Sequence, residues 1–231
     1  KADFCRLANR IAQLWETQRE ELLTAGREIV SALSSPAAGN ESVSNHLLDM
    51  AAHQFAQAFD EKNGGFGSSP KFPSPHNLLF LLSRWQTAND KQALKMAEKT
   101  LTQIYKGGLF DHIGFGFSRY STDDFFLVPH FEKMLYDNAL LMMAYITAFH
   151  ITKNELFKDV AVKTATYVLR EMTDPAGGFY SAQDADSDGS EGAYYALRPE
   201  EVLAVLGEDQ GTAFNACYDI TEEGNFHGFS I

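Results

Sequence analysis

The sequence predicts an all-α fold of helical hairpins arranged as a ring or barrel. Two observations carry this. Apolar residues recur at three- and four-residue steps through most of the chain, the spacing of helices packed on one face. A glycine-aromatic corner also closes a helical segment three times, at Gly64-Gly65-Phe66, Gly107-Gly108-Leu109-Phe110 and Gly177-Gly178-Phe179. The steps from Gly65 to Gly108 to Gly178 are 43 and 70 residues. Such unequal steps argue against a strict short-period solenoid. They suit hairpins whose long connections gather at one end, over a central cleft.

Taken in order, Phe4, Leu7, Ile11, Leu14, Trp15, Leu22 and Leu23 predict a helix over 4–33, broken near Gly26. Ser34 to Asn40 reads as a linker. A second helix is expected from Ser44 to Phe59, with Leu47, Leu48, Ala51 and Phe55 on its apolar side, ended by the glycines at 64 and 65. Pro70, Pro73 and Pro75 hold an extended stretch. Helices are then expected over 76–86 and 91–105. After a long connection over 111–128, two more are expected over 129–150 and 155–171. In the tail, residues 191–197 alternate weakly and suggest a short strand pairing with Phe179-Tyr180, a β-hairpin-like loop within 178–197. Pro199-Glu200-Glu201 opens a short helix, with proline in its first turn and acids where the helix dipole favours them. Residues 208–218 are expected to be helical, and 224–228 to form a loop.

The chain has 231 residues, 45% of them hydrophobic, enough for one or two globular domains. Its net charge of −12 argues against nucleic acid and anionic membrane as partners, since both need basic patches. The most apolar run, Ala139 to Phe149, is too short for the ~18 residues of a membrane span. No basic-then-apolar leader opens the chain. It begins inside a helical pattern, as if cut from something longer. Cys5 and Cys217 form no CxxC pattern and read as reduced structural thiols of a cytoplasmic protein. No metal site and no cofactor is expected. Asp184-Ala185-Asp186-Ser187-Asp188-Gly189 begins like a calcium loop, but the twelfth position, which needs a bidentate acid, is Tyr195.

The densest stretch of ionisable and aromatic groups runs from Gly107 to Asp137. Several of its blocks resemble a known family. They are Gly107-Gly108-Leu109-Phe110-Asp111-His112-Ile113-Gly114, Arg119-Tyr120-Ser121 and Val128-Pro129-His130-Phe131-Glu132-Lys133-Met134-Leu135-Tyr136-Asp137. Gly64-Gly65-Phe66-Gly67 with Pro70-Lys71-Phe72-Pro73, and Tyr180-Ser181-Ala182-Gln183-Asp184-Ala185-Asp186-Ser187, fit as well. Together they resemble the spermatogenesis-associated thioredoxin-like family. In that family a thioredoxin-like domain precedes an (α/α)6 barrel of the six-hairpin glycosidase type, related to N-acylglucosamine and cellobiose 2-epimerases. The resemblance implies that residues 1–35 are a connector following an absent thioredoxin-like domain. It implies that 36–231 are part of an (α/α) barrel, incomplete in this chain, with the missing domain and remaining hairpins as partners. An incomplete ring would expose apolar helix flanks, so self-association is plausible. The chain departs from the family at Ser118, where a histidine is usual, at Phe126-Leu127, where Trp-His is usual, and at Ala196-Leu197, where Val-Trp is usual.

The resemblance also implies a carbohydrate-type cleft. Pro129 at a helix start places His130 and Glu132 in its first turn, and His130, Lys133 and Asp137 then share a face. A helix N-terminus disfavours an imidazolium, so a neutral His130 suits a base. With His112 on the opposite face, two bases invert one sugar carbon beside a carbonyl, an epimerase or isomerase reaction. Arg119 and Tyr120 bind substrate oxygens and rings. Asp111, beside His112, orients it. Lys71 contacts a substrate oxygen or makes an ion pair. Asp137, Asp184 and Asp186 face the cleft. The rival reading of His130 and Glu132 is that they cap a helix and lock the loop. Glycoside hydrolysis needs two carboxylates across a bond, from Asp111, Glu132, Asp137 and Asp184. A non-catalytic scaffold for the thioredoxin-like domain would have a cleft filled by Phe125, Phe126 and Leu127.

Overall fold

The computed structural model describes residues 2–34, 45–224, 226 and 230. Two compact units divide the chain, Lys1–Asn45 and His46–Ile231. The first holds α1 (Ala2–Thr17) and α2 (Arg19–Ser34). The expected break near Gly26 is corrected, because the bend falls at Gln18. Helical bonding runs through it: the Gln18 N–H donates to the Leu14 carbonyl at 2.7 Å and the Leu22 N–H to the Gln18 carbonyl at 3.1 Å. The Arg19 guanidinium covers the Trp15 ring at 4.4 Å. Gly26 stays inside α2, since one glycine in an exposed helix costs only about 1 kcal/mol against alanine. The linker expected beyond Ser34 lies outside the described residues.

The second unit holds α3 (Asn45–Ala58), α4 (Pro75–Ala88), α5 (Lys91–Lys106), α6 (Leu135–Thr152), α7 (Glu155–Glu171) and α8 (Pro199–Tyr218). Leu78, Leu81 and Leu82 of α4 pack with Met96, Leu101 and Ile104 of α5 and with Leu141 and Tyr145 of α6, and Phe157 and Val160 of α7 join the same core. Tyr145 is fully buried, and its hydroxyl donates to the Leu101 carbonyl at 2.7 Å. That bond satisfies the one polar atom of a large apolar side chain. Asp90 caps α5 by accepting from the Ala93 N–H, and Asn154 caps α7 by accepting from Leu156. α3 joins through Phe55, whose ring lies 5.6 Å from Phe80, and through an Asp49–Arg84 ion pair. α8 is two helical pieces joined at Gly207, whose φ of 77° only glycine adopts without strain. Apolar side chains stand exposed at Met143 and Ile146 of α6 and at Val162 and Leu169 of α7.

Short strands organise the connections. β1 (Tyr120–Ser121) pairs antiparallel with β2 (Pro129–His130), β3 (Lys133–Met134) with β4 (Ala182–Gln183), and β5 (Asp186–Ser187) with β6 (Ser190–Glu191). Two expectations are corrected here. The helix expected from Pro129 begins at Leu135, and residues 129–134 are extended, with Pro129, Phe131 and Lys133 buried and His130, Glu132 and Met134 facing outward. That alternation is a strand's period of two, so His130, Lys133 and Asp137 share no helix face. The strand expected over 191–197 does not pair with Phe179-Tyr180. Asp188 and Gly189, both at positive φ (52° and 79°), turn the chain back so that Asp186 pairs with Glu191. Phe179 pairs instead with Thr173, and Leu197 with Ser230.

The corner at Gly107-Gly108 exists because the connection returns over it. A Cβ on Gly107 would sit 2.1 Å from the Phe126 carbonyl oxygen, and one on Gly108 2.0 Å from that of Leu127. The Gly108 N–H donates to the Phe126 carbonyl at 2.8 Å. Phe126 itself is fully buried in the core. Cys5 and Cys217 are free, as expected of reduced thiols, and both are exposed. Among the described residues, no helix is long and apolar enough to cross a membrane.

Candidate functional site

His130 lies directly opposite Tyr120 in the β1–β2 pair, and opposed residues share one face of a sheet. The two rings stack 4.8 Å apart at 19°. A bridge between Lys71 and Ser121 brings the next residue, Phe72, beside Tyr120, with its ring 4.9 Å away and tilted at 39°. The result is a shelf of three rings, Phe72, Tyr120 and His130. The shelf ends at a polar cluster. His130 Nδ1 lies 2.6 Å from Glu191 Oε1, on the β5–β6 hairpin. A carboxylate only accepts, so Nδ1 donates, and in the neutral imidazole Nε2 is then the nitrogen without a proton. Nε2 lies 3.8 Å from Glu132 Oε2, beyond hydrogen-bond reach. Glu132 is engaged elsewhere, accepting from Arg119 Nη1 at 2.7 Å. The Arg119 backbone N–H also donates to the Glu132 carbonyl, which fixes the two segments together. An open groove of about 520 Å³, lined by Thr122, Pro129, Ser190, Glu191 and Phe226, runs beside the His130–Glu191 pair.

Asp137 lies beneath this cluster in the first turn of α6, only 7% exposed. Burial raises its pKa, Arg119 opposes the rise and Glu132 adds to it, and the carboxyl is pushed up to about 6.

The remaining expected site residues are held differently. Asp111 accepts from Lys133 Nζ at 2.8 Å and from the N–H groups of Ile113 and Gly114. Burial works to raise its pKa, but Lys133 and the two N–H groups hold it below the usual carboxylate value. Lys133 is 1% exposed, with its ammonium over the rings of Tyr167 and Tyr195 at 4.7 and 5.2 Å. His112 is exposed and packs on Tyr105 and Phe110, at 5.1 and 5.3 Å. Lys71 is buried and gives its ammonium to Asp60 at 2.7 Å and to the Asp124 carbonyl at 3.1 Å, the ion-pair alternative of the two. Asp184 and Asp186 are exposed on the hairpin, where Asp184 accepts from the Asp186 N–H. Among the described residues, no group of three or more His, Cys, Asp or Glu is placed to hold a metal ion.

The structure therefore brings together His130, Glu132, Arg119, Tyr120 and, beneath them, Asp137. Sequence reasoning missed Glu191. Its signal was Asp188-Gly189, a hairpin turn that folds the acid back toward β2. Gly192 permits the approach, since a Cβ there would meet the Phe131 ring at 2.5 Å.

No family model matches the sequence. Human spermatogenesis-associated protein 20 is 39% identical over 97% of this chain and 32% of its own length. The mouse protein of the same name is 36% identical over 98% and 32%. The chain thus spans about a third of the length of these relatives. Among solved structures, a cellobiose 2-epimerase from Bacillus thermoamylovorans B4167 overlays 75% of this chain on 54% of its own, with TM-score 0.52 and 13% identity. A sugar epimerase from a ruminal bacterium overlays 75% on 51%, with TM-score 0.53 and 16% identity. A GH76 α-mannanase from Bacteroides thetaiotaomicron overlays 74% on 51%, with TM-score 0.50 and 17% identity. These likenesses show the fold, the helical hairpins of an (α/α) barrel. Over about a third of that protein's length, the chain is a homologue of spermatogenesis-associated protein 20, built from the hairpins of an (α/α) barrel.

Proposed function

We propose that this chain forms one wall of a carbohydrate-binding cleft in which His130 moves a proton on a sugar carbon beside a carbonyl. The observation that carries the reading is the setting of His130. Its Nδ1 is fixed on Glu191, its ring is stacked on Tyr120, and Arg119 stands next to it on Glu132. An imidazole held in one tautomer leaves Nε2 free as the base. That nitrogen takes the C–H proton, and the bonding pair passes to the carbonyl oxygen as an enolate. Arg119 stabilises the developing charge. Return of the proton to the neighbouring carbon, with the hydroxyl proton passing to the other oxygen, gives the isomer; a proton delivered by water to the opposite face of the same carbon gives the epimer. The ring shelf offers an apolar floor for a sugar. Epimerases among the structures of like fold lend the reading support only by analogy.

The two-base version with His112 draws no support from a His112 packed on Tyr105 and Phe110. Glycoside hydrolysis is less well supported, because Asp111 is tied to Lys133 and Asp137 is buried. A scaffold with a filled cleft is less well supported too, since Phe126 belongs to the core and Phe125 and Leu127 stand exposed.

The test is solvent-deuterium exchange. The chain, and the longest protein that contains it, are incubated in D2O with mannose, N-acetylglucosamine and cellobiose. Loss of the C2 proton signal, abolished in His130→Gln, is the expected result. Absence of exchange for all three sugars, or exchange that survives His130→Gln, rejects the proposal for this substrate class.

A further inference from the structure

We propose that Asp137 is a positioning residue of the cleft: it competes with Glu132 for Arg119 and so sets where the guanidinium charge stands relative to His130. The inference deepens the reading of His130 as the proton-transfer group. Two buried atoms of opposite sense carry it. Arg119 Nε, a donor, and Asp137 Oδ2, an acceptor, are both sealed from solvent and both lack a hydrogen-bond partner among the described residues. Leaving either unpaired is costly, and a bond between them would satisfy both at once. Arg119 is meanwhile spent on Glu132 through Nη1 at 2.7 Å. Glu132 Oε2 in turn stops 3.8 Å short of His130 Nε2.

One guanidinium is thus bonded to Glu132 and acts by charge on Asp137. While Arg119 holds Glu132, its charge stands beside His130. When Arg119 turns to Asp137, its charge leaves Glu132 and the side of the cleft beside His130. Burial raises the Asp137 pKa most, Arg119 works against it and Glu132 adds to it; Tyr136 is the other titratable group that acts on Arg119, besides Glu132. The carboxyl therefore gains its charge at about pH 6, and the arrangement changes over a pH range that a protein meets.

The Arg119 Nε–H signal, followed by proton–nitrogen NMR from pH 5 to pH 7.5, tests this. In the wild type the signal is expected to move through a midpoint near 6, and the Glu132 carboxyl carbon signal to move over the same range. In Asp137→Asn both movements are expected to vanish. An Arg119 signal that is flat in the wild type overturns the proposal without any variant. Movement that persists in Asp137→Asn overturns it as well, because another group is then responsible. None of these signals depends on turnover, so a chain that exchanges no sugar proton still decides the matter.

Discussion

Glu191 Oε1 lies 2.6 Å from Nδ1 of His130, joining residues 61 positions apart. This contact ties the β5–β6 hairpin to β2 and fixes the histidine tautomer. Glu191→Ala is expected to lower sugar-proton exchange about tenfold or more, a part of the roughly 10²–10⁴ that a positioned acid–base group supplies. It should also speed hydrogen exchange at the Gly192 amide, which donates to the Ala185 carbonyl across the hairpin. Glu191→Gln keeps a hydrogen-bond acceptor and should lose less. Equal losses in the two variants would show that charge, and not tautomer control, is what matters.

Lys133 and Asp111 form an ion pair that is almost wholly interior. Lys133→Met leaves a carboxylate held by two N–H groups but without its cation. Breaking one side of a buried pair costs about 3–5 kcal/mol. A urea denaturation series should show that loss, and Lys133→Met combined with Asp111→Asn should recover part of it. Purely additive losses would mean that the two side chains do not act together. Sugar-proton exchange, corrected for the folded fraction, should fall little in either variant, since neither group touches the His130 shelf.

Much of the fold was legible because the helices are regular. The apolar steps in α4, α5 and α7 place their cores where Leu78, Met96, Ile104 and Val160 are found. The short strands were not legible, and the reason is physical. In Pro129-His130-Phe131-Glu132-Lys133-Met134 the inward positions are a proline, a phenylalanine and a lysine. A buried lysine disguises a strand's alternation, and Lys133 is buried only because Asp111, 22 residues earlier, meets it. Proline before charged residues then looks like a helix start. The candidate site was half legible for the same reason. His130, Glu132, Arg119 and Tyr120 were visible as a dense stretch, but their partner Glu191 comes from a hairpin whose position depends on long-range pairing.

The Gly107-Gly108 corner should prove intolerant of any side chain. A Cβ on Gly108 would meet the Leu127 carbonyl oxygen at 2.0 Å, and that atom belongs to backbone. Gly108→Ala must therefore shift the 126–128 segment or the end of α5. Overpacking of this kind typically costs about 1–3 kcal/mol. Because Pro129 and His130 follow the displaced segment directly, the stack of His130 on Tyr120 should loosen too. A melting temperature unchanged from the wild type would contradict the close approach.

Asp137 also makes a prediction about stability and pH whose sign follows from its burial. Its folded pKa is about 6, against an ordinary value of 3.8. Well below pH 3.8 the carboxyl is protonated in both folded and unfolded chains, so it contributes no difference. Between about 4 and 6 the unfolded chain loses the proton and the folded chain keeps it. Stability therefore falls as pH rises through that window, and above 6 the full cost remains. A difference of about two pH units corresponds to at most about 3 kcal/mol. Asp137→Asn cannot ionise and removes this cost. Relative to the wild type, the variant should be more stable at pH 7.5 than at pH 4 by an amount approaching that figure, read from paired denaturation curves at the two pH values. A difference between the two proteins that does not change with pH would mean that Asp137 is already paired when folded, with its Oδ2 on a donor such as Arg119 Nε at every pH.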